Sequence, residues 1–289
     1  MEYRKDEGGE IYHYKTRWHV MKTSASISVQ FNNIFAPFPG KEYQQALKWV
    51  KESGFDAAEL IISDPGLLDI SSIQNGLAWY SLKVSTISTG QAAGMEGLAM
   101  TSMSEHIRAL TRRRLEADVD FAVEFGRANV TVGLIRGKGG DSSPEIEREL
   151  LIRELSAIGE YADKKGIVIN LEPINRYEAS LINSTESGWE LLRDIGSPSN
   201  IGLLYDTFHS NIEDRDMQGT IHKVGESISH VHLADSNRRL PGEGHIDFRS
   251  ITRTLQEIGY AGYVSLEVLN LPNAAHVIHN AGKQVRELF

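Results

Sequence analysis

IVINLEPINRYEASLINSTESGWELLRDIGSPSNIGLLYD (167–206) holds two short apolar runs, IVINLEPI (167–174) and IGLLYD (201–206), with an amphipathic stretch between them. Runs of this length, rich in Val, Ile and Leu, read as strands. Thr185 with Ser187-Gly188 opens a helix in the intervening stretch. Strand, helix and strand in this order form a βαβ unit.

The same rhythm extends in both directions. Upstream lie SISVQF (26–31), AAELII (57–62), KVSTIST (83–89) and NVTVGLI (129–135); downstream lie ISHVHLAD (228–235) and YVSLEV (263–268). That makes eight strands at a spacing of roughly 30 residues, the period of repeated βα modules. Helical patterns fill the gaps. KEYQQALKWVKES (41–53) puts Tyr43, Ala46, Leu47 and Val50 on one face, and Gly54 follows as a C-cap. Ser104 and Ser143-Pro144 start two more helices; 248–258 and 273–289 complete the set. Eight units close a (β/α)8 TIM barrel more naturally than they extend an open sheet. A doubly wound sheet would be expected to carry a Gly-rich dinucleotide turn after an early strand, and the sequence has none. The 289 residues suit one such domain, which typically takes about 250. Residues 1–22 are polar and mixed in charge, and read as a flexible extension before a catalytic barrel over 23–289.

Composition narrows the function. A net charge of −9 argues against a nucleic-acid surface, which needs clustered Lys and Arg. With no cysteine, thiol nucleophiles and thiolate metal sites are excluded. A bound metal must then use His, carboxylates, carbonyls or water, which favours Mn²⁺, Mg²⁺ or Co²⁺ and leaves Zn²⁺ open. No apolar run approaches a membrane span, and the N-terminus has no apolar signal core, so the expected location is the cytoplasm.

Metal-competent side chains recur at the ends of the last four strands. Glu172 closes IVINLE, Asp206 closes IGLLYD, His232 lies late in ISHVHLAD and Glu267 closes VSLE. Their separations are 34, 26 and 35 residues, one barrel unit each time. Singly, each would read as a loop cap, an ion-pair partner or a core histidine. Four at one structural position are expected to converge at the C-terminal mouth, where barrel active sites lie. Three carboxylates there would repel unless a cation neutralised them.

LEPINRYE (171–178), YDTFHSNIED (205–214), HVHLADSNRRLPGEGHIDF (230–248) and SLEV (265–268) together resemble the D-tagatose/D-psicose 3-epimerase group of the xylose-isomerase-like barrels. The resemblance runs from about Ser26 to the end and is sharpest after residue 165. It implies that Glu172, Asp206, His232 and Glu267 bind a divalent metal, here expected to be Mn²⁺, and that the two glutamates are the acid/base pair. It also implies substrate contacts at Glu178, His209 and Arg238, and assembly as a homodimer or homotetramer.

The chemistry fits the residues. Removing a proton next to a ketone builds negative charge on the carbonyl oxygen, which a cation relieves as a Lewis acid. Inversion then needs proton removal on one face and delivery on the other, a task for two flanking carboxylates. The expected reaction is C3 epimerisation of a ketose or keto-sugar acid, free or phosphorylated, through a cis-enediolate. Arg136 and Lys138, in LIRGKGGDSS (134–143), are either solvated loop charges or a handle for a substrate carboxylate or phosphate. His230 reads as packing one layer below His232; Phe31, Trp79 and Tyr205 read as core or rim aromatics. Related barrels supply the alternatives: an aldose–ketose isomerase, a sugar dehydratase, a DNA-repair endonuclease, or a non-catalytic sugar-binding barrel. The endonuclease would need a further series of His and acidic ligands, which the early strands are not expected to supply.

Overall fold

Eight of the apolar runs are strands in the computed structural model, which describes residues 21–289. They are β1 (Lys22–Ser28), β2 (Ala57–Ile61), β3 (Lys83–Ser88), β4 (Asn129–Val132), β5 (Ile169–Leu171), β6 (Ile201–Asp206), β7 (Ile228–Leu233) and β8 (Tyr263–Leu266). All neighbours pair in parallel, and β1 pairs with β8 to close the barrel. The expected (β/α)8 architecture is the one observed. Among the described residues no helix is long and apolar enough to cross a membrane.

The helices are α1 (Tyr43–Glu52), α2 (Ile70–Trp79), α3 (Gly90–Glu96), α4 (Glu105–Glu124), α5 (Pro144–Asp163), α6 (Thr185–Asp194), α7 (Thr207–Glu213), α8 (Met217–Val224), α9 (Phe248–Glu257) and α10 (Ala274–Arg286). Side-chain oxygens cap the exposed N–H groups of all of them but α1 and α3. Ser104 accepts from Ile107, Ser143 from Ile146, and Ser184 from Ser187. Gly54 ends α1 with φ +83°, a conformation that favours glycine.

Several boundaries differ from expectation; β5, expected over 167–174, covers only Ile169–Leu171. β1 begins at Lys22, four residues before the apolar run and at the last residue of the expected extension. The other residues assigned to that extension, 1–20, lie outside those described, apart from Met21, which is buried. KTSA is polar because Ser24 faces the interior, where its Oγ meets Ser85 Oγ of the non-adjacent β3 at 2.7 Å. Contact between non-adjacent strands is possible only inside the barrel. β4 ends at Val132 because Gly133 (φ −93°, ψ −116°) turns the chain into a short 3-10 turn, Leu134–Arg136.

The interior is more polar than a Val/Ile/Leu reading suggests. Thr86, Thr131 and Asn170 share hydrogen bonds near its centre, and Ser229 donates to Asn170 at 2.8 Å. Thr86, Thr131, Asn170 and Ser229 each have a partner in this belt, which limits their desolvation cost, whereas the buried Ser26 and Ser265 hydroxyls have none among the described residues. Glu59 and His230 continue the belt toward the C-terminal mouth. Trp79, at the end of α2, is 82% exposed and belongs to neither core nor mouth, whereas Tyr205 is fully buried.

Candidate metal centre and active site

Adjacent strand ends bring Glu172, Asp206, His232 and Glu267 together. Glu172 and Glu267 immediately follow β5 and β8, Asp206 ends β6, and His232 sits in β7. One donor atom from each lies within 4.8 Å of all the others. His232 Nδ1 stands 3.7 Å from Glu172 Oε1, 3.8 Å from Asp206 Oδ2 and 3.5 Å from Glu267 Oε2.

The donor set fits a divalent cation. Asp206 Oδ2 and His232 Nδ1 are buried and have no hydrogen-bond partner among the described residues. Buried polar atoms rarely stay unpaired, and here two of them face one point. Asp206 is aimed by its backbone: its Oδ1 caps α7, accepting from Phe208 N and His209 N at 2.7 and 3.1 Å. Only Oδ2 is left for the centre. Burial would raise the Asp206 pKa, but the neighbouring His209 ring and Arg238 guanidinium hold it below the usual carboxylate range. Oxygen and imidazole donors without sulfur suit a hard or borderline ion.

The expected substrate contacts surround the same centre. His209 Nε2 is 3.7 Å from Glu172 Oε1, and its Nδ1 accepts from Asn175 Nδ2 at 2.7 Å. Glu178 Oε1 takes the other Asn175 proton at 3.0 Å and faces Arg238 Nη1 at 3.8 Å. Arg238 Nη2 donates to Glu267 Oε2 at 2.7 Å. Arg238 itself has φ +58° in the loop after β7. Asp235 organises that loop by accepting from the N–H groups of Ser236, Gly242, Gly244 and Ile246. The cavity over the centre measures about 420 Å³, the size of a small-molecule site. Its outer wall carries Ile34, Phe35, Met95 and Leu134.

Arg136 corrects the sequence reading. It is fully buried and does not line the cavity. Its donors are spent on the backbone oxygens of Glu172, Gly137 and Ile182, at 3.1, 3.3 and 3.0 Å. It is therefore neither a solvated loop charge nor a handle for a substrate anion. It braces the backbone of Glu172 from behind. Burial pushes its pKa down to about 10, which leaves it charged at neutral pH.

Sequence reasoning missed Glu59 and Gly133. Glu59 is completely buried in β2 and reaches across the barrel to His230 and His232, so the early strands do supply a further metal-competent group. The signal was a lone charge inside the apolar run AAELII. Gly133 gives Glu172 its space: a Cβ there would lie 2.4 Å from Glu172 Oε2. His230 is buried below His232 as expected, its ring edge-on at 5.4 Å.

Comparison with known proteins follows the same lines. Residues 47–287 match the model of the xylose isomerase-like TIM barrel family. The chain is 31% identical over 241 residues to an L-ribulose 3-epimerase of Mesorhizobium japonicum, covering 78% of this chain and 75% of that one. It is 28% identical over 236 residues to a ketose 3-epimerase of Arthrobacter globiformis, covering 80% and 78%. The fold superposes with a TM-score of 0.80 on a Methylomonas sp. D-allulose 3-epimerase solved with D-allulose, at 22% identity and over 93% and 97% of the two chains. With that family match over most of its length, the chain belongs to the xylose isomerase-like TIM barrel family.

Proposed function

We propose that the protein is a divalent-metal-dependent sugar epimerase that inverts C3 of a neutral, free ketose. The observation that carries this reading is the pair Glu172 and Glu267, which flank His232 Nδ1 at 3.7 and 3.5 Å beneath one cavity. Glu172, Asp206, His232 and Glu267 would hold the ion, proposed as Mn²⁺, which supplies Lewis-acid stabilisation of the charge that develops beside the reacting carbon.

The chain's own residues do the rest. One glutamate removes the C3 proton and the other returns a proton to the opposite face; the roles exchange when the reaction reverses. Arg238 holds the Glu267 carboxylate in place. Arg136 and the space at Gly133 set the position of Glu172. His209 Nε2 and Glu178 face the cavity and meet sugar hydroxyls. The names of the 3-epimerase relatives support this assignment.

Among the described residues lining the cavity, Arg238 is the one basic side chain besides the histidines, and it is already paired with Glu267. Among the described residues no second Arg or Lys lines the cavity to meet a phosphate or carboxylate, which favours the neutral sugar over the acid or phosphate. The test is a panel of ketopentoses, ketohexoses, their phosphates and keto-sugar acids, incubated with the Mn²⁺-loaded protein. Chromatography should show C3-epimer pairs from neutral ketoses. Turnover confined to phosphates or acids, or aldose products alone, would contradict the proposal.

A further inference from the structure

We infer that Glu59 is a positioning residue for the metal ligand His232, fixing its imidazole with the proton on Nε2 so that Nδ1 offers its lone pair to the ion. The inference rests on the metal-dependent reading above. It adds a residue from the opposite wall of the barrel to the working centre.

The geometry is specific. Both Glu59 oxygens lie 3.1 Å from His232 Nε2, and Oε2 is also 3.3 Å from His230 Nε2. Ser88 donates to Oε1. Glu59, His230 and His232 are 0%, 1% and 1% exposed. A carboxylate buried this completely is stable only where hydrogen-bond donors surround it. Its donors here are two imidazole N–H groups and one hydroxyl. A neutral imidazole carries one N–H and one lone pair. Committing Nε2–H to Glu59 leaves the lone pair at Nδ1, the atom that lies unpartnered among Glu172, Asp206 and Glu267. A carboxylate behind a ligating histidine orients the ring and makes it a stronger donor.

Glu59, His230 and His232 also lie close enough to hold an ion of their own. The single lone pair of His232 decides between the two sets. It cannot serve an ion at Nε2 and another at Nδ1 without losing both ring protons.

The experiment is Mn²⁺ titration of the metal-stripped full-length protein, with free ion read by electron paramagnetic resonance. Wild type should bind one ion per chain. Glu59→Gln keeps the shape and one acceptor but removes the charge, and should bind roughly 10–100-fold more weakly. Wild-type affinity in that variant, or two ions per wild-type chain, would overturn the inference. Failure of wild type to bind at all would instead remove the metal reading beneath it. Should the variant not fold, ¹⁵N-histidine NMR of Zn²⁺-loaded wild type gives the answer directly. His232 should show a protonated Nε2 and a metal-bound Nδ1; the reverse pattern would overturn the inference.

Discussion

Arg238 binds Glu267 while its guanidinium is clamped between two aromatic rings: Nη2 lies 2.7 Å from Glu267 Oε2, and the Phe35 and Phe208 ring centroids are 4.7 and 4.6 Å away. The planar guanidinium is suited to stacking and hydrogen bonding at once. Burial opposes its charge, but Asp206 and Glu267 outweigh that and raise its pKa. Glu267 thus has a partner whose position is set from two sides.

Replacing Arg238 by Lys keeps the charge and loses the stacked plane. We expect kcat/KM to fall by about 10²-fold, the scale of a misplaced reacting group, with thermal stability little changed. Steady-state kinetics beside a melting curve measure both. Near-wild-type kinetics would show that Glu267 needs no such support.

Gly133→Ala puts a methyl group where Glu172 Oε2 now lies, 2.4 Å from the ideal Cβ position. The carboxylate must move. Activity should drop by about 10²-fold or more, and Mn²⁺ affinity should fall with it, because Glu172 serves both roles in this account. Kinetics and metal titration on one preparation test this; loss of one property without the other would separate the roles.

Asp118 in α4 is completely buried, and neither carboxylate oxygen has a hydrogen-bond partner among the described residues. Burial raises its pKa well above the usual range, although Arg114 opposes the shift. The folded protein therefore binds this proton more tightly than the unfolded chain, whose Asp ionises near about 3.9. Stability from this group is intact below that pH. It falls as pH rises and levels off above the folded pKa. Asp118→Asn should match wild type in stability near pH 4 and exceed it by a few degrees in Tm at neutral pH. Denaturation across pH 4–8 checks this; a gap that does not grow with pH would refute it.

Much of this was legible in the sequence because strand ends are. Glu172, Asp206, His232 and Glu267 each fall at or next to the C-terminal end of a strand, and the parallel barrel sets those ends side by side, with Asp206 paired directly to His232. Helix starts were readable for a similar reason: Ser104 and Ser143 are local signals. What escaped depends on contacts across the barrel. Glu59 meets His232 over 173 residues of sequence, and no local pattern encodes that approach. Arg136 looked like a loop charge because Gly137, Lys138, Gly139 and Gly140 follow it. Only the folded chain shows three backbone oxygens turned toward its guanidinium. β1 was read late because its first inward residue is a serine satisfied by another serine.

The most direct test is where deuterium enters. With neutral ketose, Mn²⁺-loaded protein and D₂O, proton NMR should show solvent deuterium replacing hydrogen at C3 of the epimerised sugar, and Glu267→Gln should abolish both exchange and product. Epimer formed without solvent label, label at C1 in place of C3, or an active Gln variant would contradict a pair of opposed carboxylates working on that carbon.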